Sequence, residues 1–230
     1  VQTEKVAAWQ EIAQQLAHEI KNPLTPIKLS AERLLKKYQE DREHFERVLQ
    51  SSVETILKET NSLDKLLKEF KDFSRLPTPV MRPVPLKPIL EEAIQGYRYV
   101  PRIRVMVDPI PDSFILMADT DQIRQIFTNL LTNSIEAMPE GGEIRIRADL
   151  VKKGNTRYCR ILVSDTGVGI SDEYKNLVFN PYFTTKTQGT GLGLSIVERI
   201  VFDHKGQIWF ESEQGKGTTF FIDLPLESGE

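Results

Sequence analysis

The 230 residues include one cysteine, three histidines and two tryptophans. A lone Cys159 excludes a disulfide within the chain and a cysteine-based metal cluster, and it fits a reducing compartment. No apolar run approaches the roughly 18 residues of a membrane span, and no signal-peptide pattern opens the chain. Charge of one sign is also missing. The net charge is −3 with acids and bases interspersed, so no basic stripe offers itself to nucleic acid or to a membrane surface. With 40% hydrophobic and 27% charged residues, the composition is that of a globular protein, long enough for one large or two ordinary domains. The chain begins at Val1 rather than Met, already in helical periodicity, and reads as a fragment whose N-terminal extension is missing.

Apolar residues recur at Val6, Trp9, Ile12, Leu16, Ile20, Leu24, Ile27 and Leu34, which predicts a continuous amphipathic helix. A polar stretch from Lys36 to Arg42 reads as a turn. A second stripe follows at Phe45, Val48, Ser52, Ile56, Leu63, Leu66 and Phe70. Two helices of roughly 30 residues would each be about 45 Å long. An antiparallel hairpin of that length leaves apolar faces uncovered, so residues 1–74 are expected to form a homodimer, completing a four-helix bundle. RLPTPVMRPVPLKP, residues 75–88, holds five prolines in fourteen residues and is expected to be an extended linker.

The period changes across the second expected domain, residues 86–227. RIRVMV and SFILMA read as short strands. Residues 119–138 read as a helix with Asp119 at its N-cap and Gln122 three residues on. GEIRIRADLV and YCRILVSD form a hairpin around Lys153, Gly154 and Asn155, residues 191–204 look helical, and QIWFES with GTTFFIDLP makes a closing hairpin. Strands and helices interleave without regular βαβ units. The expected class is therefore α+β: a helical hairpin followed by an α/β sandwich with a mixed sheet.

Three stretches of this second domain carry chemistry. In NLLTN, Asn129 and Asn133 are four apart and share a helix face. DTGVGI follows a strand and places Asp165 where the backbone turns through Gly167 and Gly169. GTGLGLSIV is a glycine-rich entry into a helix, with free N–H groups and a positive dipole end for a phosphate. Singly, each has a bland reading: two surface amides, or two ordinary turns.

Their order and spacing, with FNPYF between the last two, resemble the N, G1, F and G2 boxes of the GHKL superfamily of Bergerat-type ATP-binding domains. They are most similar to those of the sensor histidine kinases. The resemblance implies ATP and Mg²⁺ as ligands, with Asp165 on the adenine amino group and Asn133 on the metal, a hard cation suited to amide and phosphate oxygens. It implies a lid from Phe179 to Gly193, with Lys186 available to the phosphates and Gly189, Thr190, Gly191, Leu192 and Gly193 close to them. Hydrolytic relatives carry a water-activating glutamate where this chain has Asn129, which cannot accept a proton. A nucleotide site without that base suits transfer to a delivered acceptor.

His18 is the candidate acceptor. It lies two residues from Leu16 and from Ile20, roughly 200° round the helix from each, and so points off the apolar stripe. A surface histidine without a role satisfies that placement too. Glu19 and Asn22 weigh against it, because a neighbouring carboxylate can orient the ring and raise its basicity, and an amide can hold a water or a phosphoryl oxygen. Pro23 and Pro26 delete backbone hydrogen bonds just beyond, which permits a kink. His44 and His204 sit in polar, unremarkable surroundings.

HEIKNPL resembles the H box of the HisKA dimerisation and phosphoacceptor domain. The longer AHEIKNPLTPIKLSAERLLKKY, together with NSIEAMP, is similar to the NtrY-type nitrogen-regulation kinases. The resemblance implies the cytoplasmic catalytic core of a two-component sensor kinase that phosphorylates His18 and passes the group to an aspartate of a response-regulator receiver domain. Glu19-Ile20-Lys21-Asn22 resembles the ExxN motif by which such kinases dephosphorylate that partner. No nucleic-acid partner and no membrane contact are expected of this stretch, and the missing N-terminal region is expected to anchor the whole protein in the inner membrane. Two other readings stay open: an ATP-driven conformational machine, against which Asn129 argues, and a scaffold that only dimerises.

Overall fold

The structure, a computed structural model, describes residues 2–40, 42–74, 77–186 and 189–227; within them the side chains of residues 2–16, 18, 43, 65, 68–70 and 72–74 lie outside the description. The chain divides into two compact units, residues 1–76 with 181–192 and residues 77–180 with 193–230.

The first unit is built on α1 (Gln2–Glu40) and α2 (Arg42–Ser74), which pack on each other. The polar stretch read as a turn is helical up to Glu40, and the helices are separated by residue 41 alone, which lies outside the described residues. Beside that junction the Tyr38 and Phe45 rings meet edge to face at 5.5 Å, with the Arg42 guanidinium 5.2 Å above Tyr38. Pro23 and Pro26 lie inside α1 without ending it. They remove the N–H groups that the carbonyls of Glu19 and Asn22 would otherwise receive, and the Thr25 hydroxyl bonds the neighbouring Lys21 carbonyl at 3.0 Å. Val48, Ser52 and Leu66 are buried along α2. Leu24, expected within the apolar stripe of α1, is 47% exposed, whereas its neighbour Pro23 is buried. Leu49, Val53 and Leu57, four apart on α2, are 38% to 59% exposed, so a second apolar stripe has no cover among the described residues.

The second unit is a two-layer α/β sandwich. Its five-stranded sheet has the order β2 (Ile103–Val107), β4 (Gly142–Lys153), β5 (Thr156–Asp165), β7 (Gly217–Pro225), β6 (Gln207–Glu213). β2 runs parallel to β4 and the other pairs are antiparallel, so the sheet is mixed, as expected. The register sets Ile146 against Val163 and Ala148 against Ile161, all buried on one face, with Ile222 and Leu224 continuing the row on β7. Three helices supply the other apolar surface: α3 (Leu86–Gln95) through Leu90 and Ile94, α4 (Thr120–Glu136) through Ile126, Phe127 and Leu130, and α5 (Gly193–Asp203) through Val197 and Ile200. Cys159 is buried in this core, which pushes its thiol up to about 12 and leaves it unreactive.

The proline-rich stretch does not remain an unpaired linker to its end. Arg82–Pro85 form β1, paired antiparallel with β3 (Ile115–Ala118), and α3 starts at Leu86. Proline is tolerated in a two-stranded edge and in a first helical turn, where missing donors cost little. Asp119 ties this entry segment to α4. Its carboxylate caps the helix by accepting from the N–H groups of Asp121 and Gln122, and it also accepts the Val80 N–H at 2.9 Å. Gln122 does not reciprocate as in a capping box; its amide donates to the Pro77 carbonyl at 2.8 Å. The Asp119 N–H goes instead to His204 Nε2 at 3.0 Å, and His204 Nδ1 donates to the Ile200 carbonyl at 2.8 Å. His204 is 1% exposed, a buried tie between α5 and α4 rather than the polar bystander its neighbours suggested.

Burial pushes the Asp119 carboxyl up, but the N–H groups of Val80, Gln122 and Asp121 outweigh it and hold the group below its ordinary value. A depressed carboxylate stabilises the fold at pH above the ordinary value and loses that contribution as pH falls through the lowered one. Asp119→Ala is expected to cost about 1–2 kcal/mol in urea unfolding at neutral pH. The difference from wild type should shrink as the pH drops below about 4; a difference independent of pH would show that the charge is not what stabilises.

Candidate functional site

β5 ends at Asp165, and the chain then turns through Gly167 and Gly169. Gly169 has φ of +68°, and a Cβ there would strike the Glu213 carbonyl, so both conformation and space require glycine. Asp165 is only 8% exposed. Its Oδ1 accepts the N–H of Gly167 at 2.9 Å and of Thr218 at 3.2 Å, and its Oδ2 accepts the Ser134 hydroxyl at 3.1 Å. A carboxylate so held presents acceptors and no donor, which suits a ligand amino group.

Ser134 precedes the end of α4 and follows Asn133 directly, so the bond to Asp165 fixes the rotation of the helix that carries both asparagines. Asn129 and Asn133 are both half-buried. The Asn129 amide nitrogen is buried and has no hydrogen-bond partner among the described residues. Gly193 opens α5 directly over this pair. A Cβ on it would lie 3.7 Å from Asn129 Oδ1 and 3.9 Å from Asn133 Nδ2, so its bare backbone leaves room above the amides. The start of α5 adds the positive end of a helix dipole. Asn129, Asn133, Asp165, Gly167, Gly169 and Gly193 therefore form one cluster: an acceptor for an amine at one end, amides and a helix N-terminus for an anion at the other.

Lys186, Gly189, Thr190, Gly191 and Leu192 group with the first unit, together with the rest of 181–192, rather than with the sandwich to which a lid was expected to belong. Within that segment the Tyr182 N–H donates to the Gly191 carbonyl at 2.9 Å, the Lys186 N–H to the Thr184 hydroxyl at 3.1 Å, and the Gly189 N–H to the Lys186 carbonyl at 3.4 Å. Tyr182 has φ of +64°, an unusual conformation for an aromatic residue. Its hydroxyl is buried without a partner among the described residues, and burial raises its pKa. Residues 187 and 188 lie outside the described residues. Phe179, the first aromatic of FNPYF, packs on Phe210 of β6 at 5.9 Å.

On α1, Glu19 is half-buried and Asn22 exposed, while the His18 side chain lies outside the described residues. Ser134 and Thr218, which hold Asp165, do not stand out in the sequence. Their signals were a hydroxyl beside Asn133 and one hydroxyl residue in a hairpin read only as strands, too common to stand out alone.

For a divalent cation the donor set is consistent. Among the described residues no group of three His, Cys, Asp or Glu side chains gathers anywhere. A hard cation here would therefore rely on the Asn133 amide oxygen and on oxygens brought by the ligand and water, the usual manner of Mg²⁺.

Residues 118–228 match the family described as histidine kinase-, DNA gyrase B-, and HSP90-like ATPase, and residues 8–79 match the His Kinase A (phospho-acceptor) domain. Over 99% of its length the chain is 33% identical to the nitrogen regulation protein NtrY of Azorhizobium caulinodans, covering 30% of that protein. It spans about a third of the length of the curated relatives it matches. The catalytic domain of histidine kinase ThkA, in a nucleotide-free form, superposes with a TM-score of 0.56 at 32% identity, over 64% of this chain and 95% of that one. ThkA crystallised in complex with response regulator protein TrrA matches 97% of this chain and 64% of that one, at 28% identity and a TM-score of 0.75.

Proposed function

Because this chain belongs to the sensor histidine kinases of two-component systems, we propose that it transfers the γ-phosphoryl group of ATP to His18 and hands it to an aspartate of a response-regulator receiver domain. The observation that carries this reading is the buried Asp165 carboxylate, fixed by three donors next to the Asn129 and Asn133 face and the start of α5. Asp165 accepts from the adenine amine. Asn129, Asn133 and the N–H groups opening α5 hold the phosphates and the metal, and Lys186 and the glycines of the 189–193 stretch serve the same phosphates as a lid. Mg²⁺, when bound, neutralises phosphate charge.

The imidazole of His18 attacks the γ-phosphorus, the bond to the β,γ-bridging oxygen breaks, and ADP leaves. Glu19 takes up or shares the proton from the far ring nitrogen, which keeps the attacking nitrogen basic. Catalysis of this kind is mostly positioning and charge neutralisation. The phosphoacceptor domain is proposed to occupy residues 1–74, and the catalytic domain to begin close after residue 76, where the second compact unit starts. Uncovered Leu49, Val53 and Leu57 support homodimerisation of the helices, and the complex of ThkA with TrrA supports a receiver-domain partner. Asn22 is exposed beside His18 in the sequence and is proposed to hold the water that hydrolyses the phosphorylated regulator. Membrane attachment of the whole protein stays part of the proposal; among the described residues no helix is long and apolar enough to cross a bilayer.

γ-Labelled ATP is expected to label the chain in an acid-labile, base-stable form, and His18→Gln should abolish that label. Release of phosphate over many turnovers without any labelled protein would favour the hydrolytic reading instead. Asp165→Asn puts an amide NH₂ or a weaker acceptor against the adenine amine, and ATP affinity should fall at least tenfold; unchanged affinity in a titration would remove Asp165 from the base site. Asn22→Ala should slow loss of phosphate from a phosphorylated receiver domain at least tenfold while His18 labelling persists. Equal rates in the variant and wild type would end the phosphatase role.

A further inference from the structure

Asp165 is aimed by more than its direct partners. Ser212, on β6, has its hydroxyl at the centre of three contacts. It accepts the Ile170 N–H at 2.8 Å, donates to the Gly217 carbonyl at 2.9 Å, and lies 2.9 Å from the Thr218 hydroxyl. A hydroxyl has one proton and two lone pairs. With the proton on Gly217 and one lone pair taken by Ile170, the second lone pair receives the Thr218 proton, and Ser212 is fully used.

The Gly217 carbonyl and the Thr218 N–H that bonds Asp165 Oδ1 belong to a single peptide group, which is planar. Hydrogen bonds thus run one way: from the Ile170 N–H to Ser212, from Ser212 to the 217–218 peptide, and from that peptide to the carboxylate. Residues 165 to 170 join the two ends covalently, so the chain closes into a ring. Bonds arranged head to tail polarise and strengthen one another. The turn is packed to hold this peptide in place: Gly217 has φ of +111°, a Cβ on it would strike the Asp165 carbonyl, and the Gly215 N–H bonds the Val168 carbonyl at 2.8 Å. Without Ser212 the peptide loses the side-chain donor on its carbonyl side, and the N–H that reaches Oδ1 loses the polarisation and the restraint that this bond supplies.

We propose that Ser212 is a positioning residue for base recognition, setting the 217–218 peptide and through it the direction in which Asp165 faces the exocyclic amine of a purine. This rests on the nucleotide reading of the site. Ser212 itself touches no substrate.

The test compares equilibrium dissociation constants for ATP and for purine riboside triphosphate, which is ATP without its amine, on the 230-residue chain. Wild type is expected to prefer ATP by about tenfold. Ser212→Ala should weaken ATP by about tenfold and leave the analogue within about twofold, so that the preference collapses. Ser212→Thr keeps a hydroxyl and suits a strand, and should restore the preference. Ser212→Cys keeps the volume with a weaker donor and should lose part of it, which provides the measurement if the alanine variant does not fold. A wild type without preference between the nucleotides would count against the adenine role of Asp165 itself. An ATP preference that survives in Ser212→Ala and Ser212→Cys, or an equal weakening of both nucleotides, would overturn the positioning role alone.

Discussion

A carboxylate removed from water at the end of a central strand must be given hydrogen bonds, because an ionised group buried without them costs several kcal/mol. Asp165 obtains them from a turn glycine, from β7 and from α4. That requirement couples three parts of the sandwich that are distant in sequence. The Ser134 hydroxyl can reach Oδ2 only if α4 lies against the end of β5 in one rotation, and that rotation puts Asn133 and Asn129 beneath the first turn of α5. The Thr218 N–H can reach Oδ1 only if the β6–β7 turn folds onto the loop after β5, which is why Gly169 and Gly217 have no room for a side chain. The Asp165 end and the Asn129 and Asn133 end of the candidate site are in this sense two ends of one packing arrangement.

The helical unit follows a different constraint, the covering of apolar surface. α1 and α2 bury one row between them and leave Leu49, Val53 and Leu57 outside it. Exposed rows at helical spacing are unfavourable in water and are covered by a further helix pair when two copies associate. Within α1 the proline pair removes the two N–H groups that a regular helix would direct at the carbonyls of Glu19 and Asn22. The helix nevertheless continues unbroken through the histidine box.

Much of the fold was legible because hydrophobic period maps directly onto element type. The stripes around Ile12 and Ile56 gave helices, and the alternation in GEIRIRADLV and YCRILVSD gave a hairpin whose register pairs Ile146 with Val163. Where local rules compete, the reading slipped. Prolines near 83 and 85 argue for an extended linker, yet an edge position in β1 does not need the donors they lack. Asp119 and Gln122 have capping-box spacing, yet the Pro77 carbonyl and His204 offered partners from elsewhere in the chain. His204 looked polar from its neighbours Asp203 and Lys205, which point outward on the helix end while it points in.

The sequence by itself determined which chemistry is present. Asn129, Asn133, Asp165 and the glycines at 189, 191 and 193 match a nucleotide-site pattern by kind and order, and His18 with Glu19 and Asn22 matches a phosphoacceptor pattern, because both patterns are written in residue types and spacings that the sequence displays directly. Tertiary structure alone decided how Asp165 is aimed. Ser134, Ser212 and Thr218 are ordinary hydroxyl residues until folding brings them within hydrogen-bonding reach of one carboxylate and the loop behind it, and a contact between residues tens of positions apart has no local period or propensity to announce it.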